Sequence, residues 1–255
     1  MSLIYEPKGR AREYAALACN IYRGCDHGCL YCYAPAALRM NRDQFTVVEP
    51  RKDFLRQLAH EAGKLTPTEP VLLCFSVDPY CNLDADLKLT RETIKILHAT
   101  GHAVTVLTKG GTRALRDIDL FGPRDAFATT LTFSDWHDSL TWEPGAEIPQ
   151  ERIAAIREFH AAGIPTWVSL EPVINPEDAL GHIQQTHGFV DLYKIGKWNY
   201  DARAKEIDWR KFAADAVALC ESLGKRYLLK RDLACYLDEQ LPLQQPHDPR
   251  EEVTR

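Results

Sequence analysis

The sequence predicts an α/β fold: a partial (β/α)6 TIM-like barrel with a C-terminal helical extension. Short β-rich runs alternate with helical stretches in about six successive units, the pattern of a parallel sheet with helices outside it. Six units fall short of the eight that close a barrel, so a curved, open sheet is expected. The length of 255 residues suits one large α/β domain as well as two small ones, and the composition, 45% hydrophobic and 26% charged, is that of a globular chain able to bury its core without disulfides.

Each unit has a local reason. Ala18–Arg23 reads as a first strand entering a cysteine-rich loop. Asp53–Lys64 reads as a helix, with Phe54, Leu55, Leu58 and Ala62 near helical spacing. Val71–Ser76 is a continuous apolar run, expected of a strand buried on both faces. Leu89–Thr100 follows as a helix with Thr90 as its expected cap, then Ala103–Thr108 as a strand and a helix through Leu115. Ala126–Phe133 is strand-like, and Gln150–Ala162 a helix closed by Gly163. Thr166–Leu170 and Val190–Ile195 read as strands, Pro176–Gln185 and Trp209–Leu223 as helices, the last stopped by Gly224. Residues 1–14 form an N-terminal segment, 15–224 the barrel and 225–255 a charged extension whose end, 241–255, is expected to be disordered.

Charge and hydropathy narrow the function. The 31 basic and 36 acidic residues give a net charge of −5, which disfavours a strongly basic nucleic-acid binder and leaves room for a local basic patch. No run approaches the roughly 18 apolar residues of a membrane span, and the start, MSLIYEPKGRAR, lacks the apolar run of a secretory leader. A cytoplasmic protein with no membrane partner is expected. In that reducing compartment, clustered cysteines more often bind metal or react than form disulfides.

Three of the eight cysteines, Cys25, Cys29 and Cys32, are spaced C-x3-C-x2-C, while Cys19, Cys74, Cys81, Cys220 and Cys235 are scattered. Three thiolates can wrap one inorganic centre. A four-iron cluster usually takes four, so three leave one iron open for a ligand from outside the protein. The plainer readings are a zinc knob with His27 as fourth ligand, or three buried free thiols. Gly24 and Gly28 permit tight turns around such a centre.

With Tyr31 before the third cysteine, and the loop following the first strand, the chain resembles the radical S-adenosylmethionine (SAM) superfamily. NIYRGCDHGCLYCYA, SVDPY at Ser76–Tyr80, LKLTR at Leu87–Arg91, LTKGGTRALRDIDL at Leu107–Leu120 and AAGIP at Ala161–Pro165 are similar to the branch related to spore photoproduct lyase. The resemblance covers about residues 15–200. It implies a 4Fe-4S cluster, SAM as cofactor, an external electron donor of flavodoxin or ferredoxin type, and a 5′-deoxyadenosyl radical that abstracts hydrogen from a substrate. A nucleic-acid base is one such substrate.

Carried onto this chain, the resemblance makes Cys25, Cys29 and Cys32 the cluster ligands and puts Tyr31 near the adenine. Ser76 and Asp78 would contact the SAM amino group or ribose, Lys109 its carboxylate, and Thr130, Thr132 and Ser134 the ribose. Glu171, Lys194, Lys197 and Asn199 would face SAM or substrate. Ligands in parallel α/β sheets bind at the carboxyl ends of strands, where these residues are expected. Plainer roles stand beside these: Asp78 as a turn residue before Pro79, the threonines as β-formers, Tyr31 as loop packing.

Spore photoproduct lyase carries a hydrogen-donor cysteine near the end of the second strand. Here Cys74 and Cys81 are nearby but out of register. Cys81, in the loop, is the better donor candidate, and Cys74 reads as core. Lys194, Lys197, Arg203, Lys205, Arg210 and Lys211, interleaved with Trp198, Tyr200 and Trp209, offer a stacking surface for single-stranded nucleic acid or, as the favoured reading, the barrel's closing rim. Two other classes of function compete: a non-catalytic zinc-stabilised binding module and an iron–sulfur redox sensor.

Overall fold

The computed structural model describes residues 2–237. The end expected to be disordered, 241–255, lies outside them. One eight-stranded sheet carries the fold, in the order β1 (Ile4–Tyr5), β2 (Leu17–Cys19), β3 (Val71–Leu73), β4 (Val104–Thr108), β5 (Ala126–Thr130), β6 (Thr166–Val173), β7 (Leu192–Lys197) and β8 (Arg226–Leu229). β1 pairs antiparallel with β2 and every other neighbour is parallel. The edges β1 and β8 do not pair with each other, so the barrel is open, as six strand–helix units require.

Alternation along the strands separates two cores. Leu72, Ala128 and Trp167 point inward with Ala18, and Tyr14, Phe75, Leu107 and Leu192 pack on them. The intervening Val71, Leu73, Val104, Val106, Phe127 and Val168 face the helices. Period-two alternation accounts for both sets. On the outer face α1 (Phe54–Ala62), α2 (Leu89–Ala99), α3 (Pro149–Ala161), α4 (Pro176–Thr186) and α5 (Trp209–Ser222) bury one stripe each. In α1 that stripe is Phe54, Leu58 and Ala62, four residues apart. α3 is held to the sheet by Phe159 stacked on Phe127 at 3.8 Å, with Phe121 edge-on. Burying each such ring contributes roughly 1.5–3 kcal/mol.

Several expectations are corrected. The first strand stops at Cys19. Tyr22–Arg23 instead pairs with Glu49–Pro50 in a separate ribbon, and Asn20 Oδ1 accepts from the Phe75 and Ser76 N–H groups where the ladder ends. Thr90 is not the cap of α2: Lys88 precedes the helix at φ +53°, and Thr90 is buried with its N–H on Asp84. The third crossover is a 3-10 helix, Gly111–Leu120. The C-terminal extension is not purely helical. It begins with β8, a seventh parallel strand, before the short helix Arg231–Ala234.

The N-terminal segment spans the barrel's open side. Glu13 accepts from the Arg231 N–H and Arg10 stands 3.5 Å from Asp232. Tyr14 fills the interior beside Trp167. Lys194 donates to the Tyr14 carbonyl at 2.8 Å and lies 4.3 Å over the Trp167 ring. Burial, then Lys230, lowers its pKa to about 8. Between that value and the ordinary lysine range the unfolded chain holds the extra proton, so stability rises with pH. Urea denaturation at about pH 7.5 and about pH 9.5 should show wild type gaining on Lys194→Met across that interval, and a flat or falling difference contradicts the buried-ammonium account.

Candidate active site

At the carboxyl ends of the strands lies a cavity of about 570 Å³. Cys25, Cys29 and Cys32 border it, together with Ser76, Asp78, Lys109 and Thr130 from three successive strand ends. This is where an open parallel sheet leaves its crevice.

Backbone packing fixes the cysteine loop. Gly24 adopts φ +75°, and a Cβ there would fall 2.1 Å from the Val47 carbonyl oxygen, so only glycine permits that approach. Cys25 N–H donates to Phe45 O at 2.7 Å and Leu30 N–H to Trp142 O at 2.8 Å. Arg42 donates to the carbonyls of Cys29 and Cys32 at 3.2 and 3.0 Å.

Asp78 joins this loop to the sheet. Its Oδ1 accepts from the Thr108 hydroxyl at 2.6 Å and Tyr80 N–H at 2.8 Å. Its Oδ2 accepts from Lys109 N–H at 2.8 Å and stands 3.4 Å from His27 Nδ1. Asp78 borders the cavity and also makes the turn before Pro79. Its carboxylate is nonetheless occupied by protein donors. His27 is buried, and burial lowers its pKa. Its Nε2 has no protein partner.

A second buried network stands behind Tyr31. Arg152 and Glu143, both fully buried, pair at 2.5 Å. Tyr31 donates to Glu143 Oε1, and Lys109 Nζ lies 3.9 Å from the same oxygen and 5.3 Å over the Tyr31 ring. Burial alone raises a carboxyl pKa, but Arg152 and Lys109 hold Glu143 below its ordinary value. Arg152 also donates to Thr130 O at the end of β5. This network orients Tyr31 and Lys109 on the cavity wall.

The far wall is built on Glu171. Its carboxylate accepts from Tyr14 OH and Lys230 Nζ, both at 2.6 Å, and Tyr14 OH also meets Ser169 Oγ. Gly196 leaves room for it, since a Cβ there would lie 2.7 Å from Glu171 Cδ. Lys8, Arg10, Lys197, Asn199 and Tyr200 complete this side.

Of the residues singled out from the sequence, Tyr31, Ser76, Asp78, Lys109, Thr130, Glu171 and the three cysteines share the cavity. Thr132, Lys194 and Cys81 are not among its lining residues. Thr132 is buried against the Tyr31 hydroxyl, and Lys194 lies under Tyr14. Cys81 is buried beside Asn82–Leu87, its thiol pushed up to about 12 by burial. Cys74, read as core, is indeed buried in the core and also borders the cavity. Trp198 and Trp209 are buried, and only Tyr200 of the three rim aromatics is exposed. Sequence reasoning missed Asn20, Glu143, Arg152 and Tyr14, whose roles come from contacts distant along the chain.

The donor set fits an iron–sulfur cluster with one open iron: three thiols border one cavity, one fewer than the four that close a four-iron cluster. Among the described residues, no three Cys, His, Asp or Glu side chains gather as a single ion would require. Burial pushes the Cys29 thiol up to about 12 and Cys25 well above its ordinary value, so binding a centre there displaces protons.

The profile of the Radical SAM superfamily matches residues 19–190. The chain belongs to the radical SAM superfamily. Members use a 4Fe-4S cluster and SAM. Rv2578c, an uncharacterized protein of Mycobacterium tuberculosis, is 31% identical over 182 residues, covering 66% of this chain and 53% of the relative. The chain thus spans about half the length of its mycobacterial relatives. MJ0683, an uncharacterized protein of Methanocaldococcus jannaschii, is 28% identical over 182 residues, covering 68% of this chain and 67% of that protein. Two solved radical SAM folds superpose. Spore photoproduct lyase complexed with dinucleoside spore photoproduct gives a TM-score of 0.67 at 13% identity, covering 88% of this chain and 78% of that one. Streptococcus suis SuiB bound to S-adenosylmethionine gives 0.63 at 12% identity, covering 87% and 52%. Among the described residues, no helix is long and apolar enough to cross a membrane.

If Asp78 joins loop and sheet, Asp78→Ala leaves buried donors unpaired and should cost roughly 2–4 kcal/mol in chemical denaturation. A loss under about 0.5 kcal/mol, the usual range for a surface change, contradicts that role.

Proposed function

We propose that the chain is a radical SAM enzyme that holds a 4Fe-4S cluster through Cys25, Cys29 and Cys32 and binds SAM in the adjoining cavity. The observation that carries this reading is the meeting of the three-thiol loop and three strand ends around one cavity. The bound pair supplies one-electron cleavage of the SAM sulfonium to methionine and a 5′-deoxyadenosyl radical.

The chain's own residues bind, orient and exclude water. Lys109 presents a cation to the SAM carboxylate from a wall fixed by Tyr31 and Glu143. Ser76 and Thr130 offer hydroxyls, and Tyr31 offers its ring to the adenine. Asp78, already satisfied, acts by positioning His27 and Lys109. Phe75, Val77 and Leu107 form dry walls that protect a carbon radical.

The substrate enters from the Glu171 side, where Lys8, Arg10, Lys197 and Lys230 outnumber the carboxylates of Glu171 and Asp232, and exposed Tyr200 adds a ring. That excess of cations with an exposed aromatic favours an anionic, ring-bearing substrate, and we take a nucleic-acid base as the first class to test. The superposed spore photoproduct lyase holds a dinucleoside spore photoproduct. Cys74 replaces Cys81 as the proposed hydrogen donor, because it borders the cavity.

After anaerobic reconstitution, the dithionite-reduced protein should form 5′-deoxyadenosine from SAM. Cys29→Ala should abolish both iron binding and this product while far-UV circular dichroism is kept. Outright unfolding of that variant, or tightly bound zinc without SAM cleavage, supports the zinc-stabilised module instead. Oligonucleotides carrying thymine lesions should raise 5′-deoxyadenosine formation. No stimulation by any nucleic acid rejects that substrate class and leaves the radical chemistry standing.

A further inference from the structure

The ladder between β2 and β3 ends where Cys19 faces Leu73, yet the two chains stay joined beyond it. Asn20 takes over from the ladder with its side chain. Its Oδ1 accepts from the N–H groups of Phe75 and Ser76 at 2.8 and 3.1 Å. Its Nδ2 donates to the Tyr5 hydroxyl at 2.9 Å. The next residue joins through its backbone, since Ile21 N–H donates to Cys74 Sγ at 3.5 Å. Asn20 and Ile21 are both buried, so water competes little for these bonds.

Two features set this joint apart from an ordinary strand end. Successive N–H groups of a regular strand point to opposite edges. Here two successive ones meet on a single oxygen, so the amide holds Phe75 and Ser76 in a bend out of β3. That bend also builds the cavity: Cys74, Phe75, Ser76, Val77 and Asp78 all border it, whereas Asn20 and Tyr5 are not among its lining residues. Backbone N–H groups require an acceptor, which fixes the amide with Oδ1 toward the bend and Nδ2 toward Tyr5.

We propose that Asn20 is a positioning residue for SAM: its amide sets the bend that presents the Ser76 hydroxyl to the cofactor, without touching the cofactor itself. This rests on the radical SAM reading above. Through the neighbouring Ile21 N–H, the same segment places the Cys74 thiol on the same cavity. Such a role depends on where the acceptor stands, and filling the space with another polar group does not replace it.

Equilibrium dialysis of radiolabelled SAM against the anaerobically reconstituted protein tests this, with iron content measured alongside. Asn20→Ala removes the acceptor. Asn20→Gln keeps both ends of the amide, and so keeps the site polar and filled, but moves the acceptor by one methylene. Each should weaken SAM binding by about tenfold, roughly the worth of one hydrogen bond, with iron content as in wild type. Asn20→Asp keeps an acceptor at the same reach, and the Tyr5 hydroxyl can turn to donate to it. It should recover SAM affinity to within about threefold of wild type. The SAM-dependent change in the electron paramagnetic resonance signal of the reduced protein should follow the same order. Wild-type affinity in both Asn20→Ala and Asn20→Gln overturns the proposal. So does an Asn20→Asp protein that binds no better than Asn20→Gln, a comparison that stands even where Asn20→Ala does not fold. Iron lost in step with SAM binding also overturns it, because Asn20 then supports the cysteine loop. A wild-type protein that takes up iron and binds no SAM fails the radical reading, and this inference falls with it.

Discussion

The Asp78 carboxylate gathers the Thr108 hydroxyl, the Tyr80 and Lys109 N–H groups, and the face of His27. Through it the ends of β3 and β4 are tied to the loop that carries Cys25 and Cys29. A loop of eight residues has no core of its own to hold three thiols in place. It borrows rigidity from the sheet through this carboxylate, from Gly24 against Val47, and from Arg42 on its outer carbonyls. Removing a charged partner from such a site leaves desolvated groups behind, which is why the joint is costly to break.

The open sheet explains the rest of the site. Six strand–helix units do not close a barrel, so the interior needs a plug. Tyr14 supplies it from the N-terminal side, and its hydroxyl reaches Glu171. Lys194 and Lys230 then crowd the same ring. This gives the cavity one wall proposed for SAM and another, richer in cations, proposed for substrate. The two walls meet at the cysteine loop, whose outer surface is apolar and faces neither.

Much of the architecture is legible in the sequence because parallel strands buried on both faces are apolar throughout, and helices show one apolar stripe. β8 escapes notice because RYLL is a four-residue run among charged neighbours. β1 is shorter still. The cysteine spacing and the polar strand ends mark the site directly, and most of those residues do meet at the cavity. Glu143 and Arg152 carry no local signal. A buried ion pair between a helix end and the next helix becomes visible only when both are packed. The same holds for the choice between Cys74 and Cys81, since a loop position near the active end says nothing of where the thiol is buried. Thr132 and Lys194 show the limit of strand-end reasoning: lying near the carboxyl end does not decide whether a side chain reaches the cavity or packs beneath it.

The central claim is that three thiols on this loop hold a cluster with an iron left open to SAM. Electron paramagnetic resonance of the anaerobically reconstituted, dithionite-reduced protein, recorded with and without SAM, tests it most directly. The account predicts a four-iron signal that changes when SAM is added. A protein that takes up no iron, or a four-iron signal indifferent to SAM, contradicts it.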